Sequence, residues 1–362
     1  PLSQWEEYAD RPTLQAFEER REREMQQWGE RAEALGLDDR NAAEVLADLG
    51  VAGILTSYWS GGYGARRVFG DRDGRVPVIS VSCEDYGLLH RLADNDQGPR
   101  VRVDASSREL GEVPVHNTVA TIPGSERPDE YILLSAHLDS WDGAQGASDN
   151  GTGTVIMAEA MRLLKLHYPN PRRTIVVGHW GSEEQGLNGS RAFAADHPDI
   201  VQGLQAVFNQ DNGTGEIARV SMQGLLDAGP HFARWLAGIP SELTSGIDLS
   251  IPGTPGGGGS DYAAFACAGA PAFGLGSESW DYGAYTWHTN LDTFDKLAFD
   301  NIRHNATLVA MLTYMAAEDP DFIARARRVM PIDDETGEPH PWPECRLPDR
   351  GWEGYGRGGG DG

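Results

Sequence analysis

The chain has 362 residues, 40% of them hydrophobic, with 55 acidic against 30 basic side chains and a formal charge of -25. That length and apolar fraction suffice for one large packed domain and a smaller one. The acidity argues against nucleic acid or an anionic membrane as partner, since both need a cationic footprint, and no run of about 18 apolar residues is present to insert into a bilayer.

Residues 1–40 are charged and helix-prone, with apolar positions too sparse for a buried helix. Residues 43–104 read as a small α/β unit: "AAEVLADLGVAGILTSYW" is a helix running into a strand, and "VPVISVSCEDYGLLHRLAD" a strand followed by a helix. From about residue 114 apolar strands alternate with helices. Strands are expected at 131–136, 173–180, 204–209 and 270–276, and helices at 152–167, 190–197, 229–238, 261–268 and 299–317. This order predicts an α/β fold with an open, mostly parallel sheet sandwiched by helices. Ile302, Ala306, Val309 and Leu312 recur on one helical face and read as core. After Asp319 the chain becomes rich in Pro, Gly and charge, so 321–362 is expected to be a poorly ordered tail without a packed core. The expected divisions are 1–113, 114–320 and 321–362. Cys83, Cys267 and Cys345 form no Cys-x-x-Cys pair, which argues against a disulfide framework or a cysteine zinc knuckle. The opening "PLSQWEEYAD" lacks Met and a signal-type apolar segment, as in a processed product or fragment.

The residues just past each strand carry the chemistry. "YILLSA" runs into His137 and then Asp139, "RTIVVGHW" leads to Glu183 and Glu184, and "LQAVFN" leads to Asp211. "APAFGLG" leads through a loop to His288, and Asp149 precedes the first long helix. In open α/β sheets ligands bind at the carboxyl ends of the strands. The adjacent acids Glu183 and Glu184 alone read as an acid-rich loop; five strand exits or helix entries aimed at one sheet edge read as a site. Histidines and carboxylates together suit zinc or another borderline divalent ion. One carboxylate can bridge two ions about 3.5–4 Å apart. Asp149, Glu184 and Asp211 carry three negative charges against four positive ones on two zinc ions, and Glu183 brings the cluster near neutrality. No HExxH, GxSxG or Gly-Lys-Ser/Thr phosphate loop is present. "GTPGGGGSDY" at 253–262 is either a flexible linker or a loop lying close to a ligand.

"SAHLDSWDGAQGASDNGTG", "GSEEQGLNGS", "NQDNGTG" and "WHTNLDT" resemble, in order, the motifs of the two-zinc aminopeptidase and glutamate carboxypeptidase family of metallopeptidases. The phrasing is nearest to its carboxypeptidase Q-like members. The resemblance covers roughly 114–318. Residues 43–104 more loosely resemble part of the protease-associated domain inserted in many such enzymes, with first strands expected upstream of Pro1. The resemblance implies two Zn2+ per chain: Asp149 bridging, Glu184 and His288 completing one site, His137 and Asp211 the other. It implies a cis peptide at Asp149–Asn150. It assigns Asp139 to the second ring N–H of His137, where the alternative is a turn cap. Glu183 becomes the general base that takes a proton from water and passes it to the leaving amine. The implied activity is exopeptidase cleavage of peptides or dipeptides, as aminopeptidase or carboxypeptidase, in a secreted or periplasmic setting. A single-zinc glutaminyl cyclase-like acyl transferase and a non-catalytic, transferrin receptor-like binding module are the alternatives.

Softer candidates surround this set. Tyr282 or Tyr285 could donate to an oxyanion or be ordinary loop aromatics. His179 reads as a core histidine, His167, His231 and His304 as incidental on helices, and His340 as isolated. Ser260 and Asp261 either cap a helix or wall the pocket. Arg191 and the acids of "SESWD" offer opposite answers to which peptide terminus is bound.

Overall fold

The computed structural model describes residues 8–36, 42–58, 60–68, 75–106, 108, 110–333 and 336–350. The chain divides into two compact units, one of residues 1–102 with 289–291, the other of 103–288 with 292–362. In the first, helix α1 (Arg11–Ala34) starts where Asp10 accepts the backbone N–H of Thr13 at 2.8 Å, and it buries no side chain. That agrees with its sparse apolar pattern. Helix α2 (Ala42–Asp48) precedes strand β1 (Ile54–Thr56), which pairs in parallel with β2 (Val78–Ser80). Ser82 then caps helix α3 (Cys83–Asp94) by accepting the N–H of Asp85.

The second unit is built on seven strands: β3 (Thr118–Ile122), β4 (Arg127–His137), β5 (Arg173–Trp180), β6 (Leu204–Asn209), β7 (Ile217–Ser221), β8 (Asp248–Ser250) and β9 (Ala272–Ser277). Their spatial order is β3-β5-β4-β6-β9-β7-β8. The four central strands β5, β4, β6 and β9 are parallel, β3 is antiparallel at one edge, and β7 with β8 runs against β9 at the other. Helices α4 (Thr152–His167), α5 (Asn188–Asp196), α6 (Pro198–Gly203), α7 (Ala228–Ala237), α8 (Ser241–Thr244), α9 (Ala263–Ala266), α10 (Tyr282–Tyr285) and α11 (Phe299–Glu318) connect and cover them. Strand alternation splits the core. Ile132, Leu134, Ile175, Val177 and Phe208 face α4, α7 and α11, while Leu133, Val176, Trp180 and Val207 face Phe193 and Phe265. No helix among the described residues is long and apolar enough to cross a membrane.

Two glycines bring helix starts against strand exits. A Cβ at Gly153 would lie 2.3 Å from the Gln210 carbonyl oxygen, and one at Gly189 would lie 2.5 Å from that of Gly181.

The sequence expectations depart from the structure at the margins. Strands β3, β7 and β8 fall outside the expected set; β3 is an edge strand with four of its five residues exposed, so it lacks a buried apolar run. The helix expected at 261–268 contracts to Ala263–Ala266. Residues 321–333 and 336–350, expected to lack a packed core of their own, belong to the second unit. Ile323 is fully buried in the main core, and the buried Arg173 donates to the backbone oxygens of Ala317, Asp319 and Asp321. Trp342 Nε1 donates to the Ala266 oxygen at 3.2 Å, and Cys345 is disulfide-bonded to Cys267, against the reading from cysteine spacing. These anchors are single residues spaced by Pro and charge, so no periodic pattern announces them. Residues 334, 335 and 351–362 of that tail lie outside the described residues.

Candidate active site

The carboxyl ends of β4, β5 and β6 bring His137, the Glu183–Glu184 pair and Asp211 to one sheet edge, as parallel neighbours must. His137 ends β4 and is buried. Its Nε2 lies 3.1 Å from Asp211 Oδ1 and 3.3 Å from Asp149 Oδ1. Its Nδ1 lies 2.9 Å from the backbone oxygen of Asp139 and 3.6 Å from the carboxylate. The Nδ1 atom thus lies nearer the Asp139 carbonyl than the carboxylate to which the resemblance assigns it. The carboxylate accepts the backbone N–H of Glu183 at 3.0 Å and of Glu184 at 3.2 Å.

On the other side of Asp149, His288 Nε2 lies 3.4 Å from Asp149 Oδ2 and 2.9 Å from Glu184 Oε2. The His288 backbone has φ 55°, and Trp287 stacks on its ring at 4.2 Å between centroids. Two triads result, His137–Asp149–Asp211 and Asp149–Glu184–His288; in each, one potential ligand atom per residue lies within 4.8 Å of the others. Asp149 belongs to both. Its turn contains the cis Asp149–Asn150 peptide.

Electrostatics explain what such crowding needs. Burial, then repulsion by Asp211 and Asp261, pushes the Glu183 carboxyl up to about 10. Burial pushes Asp149 up to about 6, with Asp211 and Glu184 adding to it and His137 opposing. Burial disfavours charge on His137, but Asp211, Asp139 and Asp149 outweigh it and raise its pKa well above the usual histidine value. Glu184 Oε1 and Asp149 Oδ2 are buried without a hydrogen-bond partner. Acids packed this closely are relieved by cations between them, and two imidazoles with three carboxylates form an N/O donor set suited to zinc.

Supporting residues lie around the triads. Asp292 accepts the backbone N–H groups of Ser148 at 2.7 Å and Asp149 at 3.0 Å. Sequence reasoning missed it, although it stands inside the motif "WHTNLDT". Asn150 donates to the Gln210 oxygen and accepts the Gly153 N–H, tying the turn to β6 and α4. Asp261 is fully buried. Burial pushes it up to about 7, opposed by His137 and the Ser190 hydroxyl and aided by Asp211 and Asp139, and its side chain does not cap α9. Ser260 Oγ accepts from Asn209 Nδ2 at 2.7 Å. Tyr282 packs on Gly213; burial, then Asp149 and Asp211, raises its hydroxyl well above the usual tyrosine value, which keeps it a donor. Tyr285 is 39% exposed.

The other histidines stand apart from the triads. His179 is buried in β5 and its pKa is lowered by burial. His231 bonds Asp319 at 2.8 Å, His304 lies 3.4 Å from Asn305 Oδ1, His340 lies 3.6 Å from Asp333, and His167 is exposed. Of the "SESWD" acids, Glu278 and Asp281 are both exposed.

Known proteins share this arrangement of elements. Residues 117–313 match the model of peptidase family M28. Carboxypeptidase Q of Mus musculus is 27% identical over 252 residues, covering 70% of this chain and 52% of that protein. The chain thus spans about half the length of the curated relatives it matches. A peptidase M28 precursor from Shewanella amazonensis superposes with a TM-score of 0.63 at 25% identity, over 78% of this chain and 64% of that one. A zinc aminopeptidase from Bacillus subtilis shares the fold at 20% identity and TM-score 0.52, over 79% of this chain and 69% of that one.

Proposed function

The chain belongs to peptidase family M28, and from that premise we propose that it is a co-catalytic two-zinc exopeptidase that removes terminal residues from peptides or dipeptides. The observation that carries the reading is the pair of donor triads sharing Asp149, with Glu183 beside the donor Glu184. His137, Asp149 and Asp211 would hold one ion, and Asp149, Glu184 and His288 the other. Two ions bound there polarise the scissile carbonyl and make water a better nucleophile. The second triad favours this over a single-zinc acyl transferase.

The chain's own residues do the rest. Glu183 takes a proton from the attacking water and returns it to the departing amine. Its backbone N–H is fixed by the Asp139 carboxylate, and so is that of Glu184. The base and its neighbouring donor therefore share one anchor. The Asp139 carbonyl accepts the Nδ1 proton of His137 and leaves Nε2 as a donor atom facing Asp149 and Asp211. Tyr282, rather than the exposed Tyr285, is the hydroxyl assigned to the substrate's carbonyl oxygen.

A secreted or periplasmic location goes with this reading, and the Cys267–Cys345 bond suits an oxidising compartment. We also assign the unit of residues 1–102 to part of a protease-associated-like domain, on its parallel pair β1–β2 flanked by helices; a solved structure of a longer chain lacking that domain's sheet would refute this. Hydrolysis of short peptides that a chelator abolishes and zinc restores tests the main reading. Chelator-insensitive hydrolysis would exclude it.

A further inference from the structure

Resting on that exopeptidase reading, we propose that Arg191 and Arg346 together bind a carboxylate of the peptide substrate, its C-terminal one, which makes the enzyme a carboxypeptidase or dipeptidase. Arg191 stands in the first turn of α5, directly after the loop that carries Glu183 and Glu184. Its Nη1 donates to the Gly186 oxygen at 2.5 Å, which fixes the guanidinium over that loop. It is half-buried and makes no ion pair among the described residues.

Arg346 comes from far along the chain and is held by four anchors. Trp342 bonds the Ala266 oxygen and Cys345 is joined to Cys267, both at the end of α9, whose approach carries Asp261. Asp349 N donates to Asn188 Oδ1 at 3.0 Å and Arg350 pairs with Asp196 at 2.7 Å, both on α5. The strap so formed bridges the two helices that flank the acids. Arg346, midway along it, is exposed and makes no hydrogen bond or ion pair among the described residues; its neighbours Glu344 and Asp349 do not pair with it.

The ties at Asn188 and Asp196 lay the strap that carries Arg346 along α5, the helix that carries Arg191. Burial first, then Arg346, lowers the pKa of Arg191, against the pull of Asp261 and Glu183. Cations gathered at one face without an ion-pair partner among the described residues are relieved by an anion, and a guanidinium pair matches a carboxylate in charge and geometry. The "SESWD" acids, which would serve an ammonium group, are both exposed, and Glu278 already accepts from Trp280 Nε1 at 3.2 Å.

Calorimetric titration of the zinc-supplied full chain tests this with dipeptide analogues in which a CH2–NH group replaces the scissile amide. One ends in a free acid, one in an amide, and one in an amide with a glutamate side chain. The wild type should bind the free acid about tenfold or more tighter than the plain amide. Arg346→Gln and Arg191→Gln should lose that preference, with the loss appearing in KM for the cleavable dipeptide. Arg346 makes no hydrogen bond or ion pair among the described residues, and a thermal unfolding scan checks each variant. If the glutamate amide binds as tightly as the free acid, the pair takes a side-chain carboxylate, and the C-terminal assignment is overturned. Equal binding of acid and plain amide, or an Arg346→Gln chain that keeps the preference, overturns the inference. A carboxylate preference without any hydrolysis would instead sink the exopeptidase reading while leaving the arginine pair in place.

Discussion

The carboxylate of Asp139 accepts the backbone N–H of Glu183 at 3.0 Å, so the residue assigned to orient a metal-binding histidine also holds the assigned base. The neighbouring N–H of Glu184 reaches its other oxygen. Asp139→Asn keeps the volume but turns an amide toward those two donors. Metal affinity or activity should fall about 10–100-fold. Competition with a zinc-chelating dye measures the first and initial rates the second; neither changing would strip Asp139 of its assigned part.

Asp292 plays the matching part for the bridging residue, since its two oxygens take the N–H groups of Ser148 and Asp149. Asp292→Ala leaves both buried donors unpaired and should cost about 1–3 kcal/mol. Denaturant unfolding should show that loss, with weaker zinc retention on dialysis. A chain as stable as wild type would show that the turn holds itself.

Tyr282→Phe removes only a hydroxyl. Loss of one donor to a developing oxyanion should lower kcat by about 100-fold with KM and metal content little altered. Unchanged kcat would return Tyr282 to the loop aromatics.

Asp319 carries a stability prediction that depends on pH. It is buried and accepts from His231 Nδ1 at 2.8 Å, Trp235 Nε1 at 2.7 Å, Arg234 Nη2 at 3.0 Å and the Asp321 N–H at 3.1 Å. Burial alone would raise its pKa, but these donors outweigh burial and hold it below the ordinary aspartate value. A depressed folded pKa stabilises above the unfolded value of about 3.9 and loses that contribution as pH falls through the folded one. Asp319→Asn should therefore lower Tm at neutral pH and flatten the loss of Tm on acidification. Parallel acid limbs for the two chains would contradict this.

The parallel heart of the fold was legible because β5, β6 and the second half of β4 are buried on both faces and carry short apolar runs. Their exits carried His137, Glu184 and Asp211, with Asp149 at the entry to α4 and His288 beyond β9, so the placement of the candidate site followed from the order of elements. The edge strands β7 and β8 are only partly buried and left no such run. Asp292 was hidden because its partners are backbone groups 143 and 144 positions away, which side-chain spacing does not encode. The strap of residues 342–350 was hidden for a related reason. It is fixed by isolated contacts of Trp342, Cys345 and Asp349 rather than by a periodic face.

The most direct test of the central claim is the turnover of Glu183→Gln at full zinc loading, with metal content read on the same sample. The expected result is two zinc ions per chain, as in the wild type, and a kcat lower by about 100-fold or more. Near wild-type turnover with both ions present would contradict it, because the proton would then be moving without Glu183.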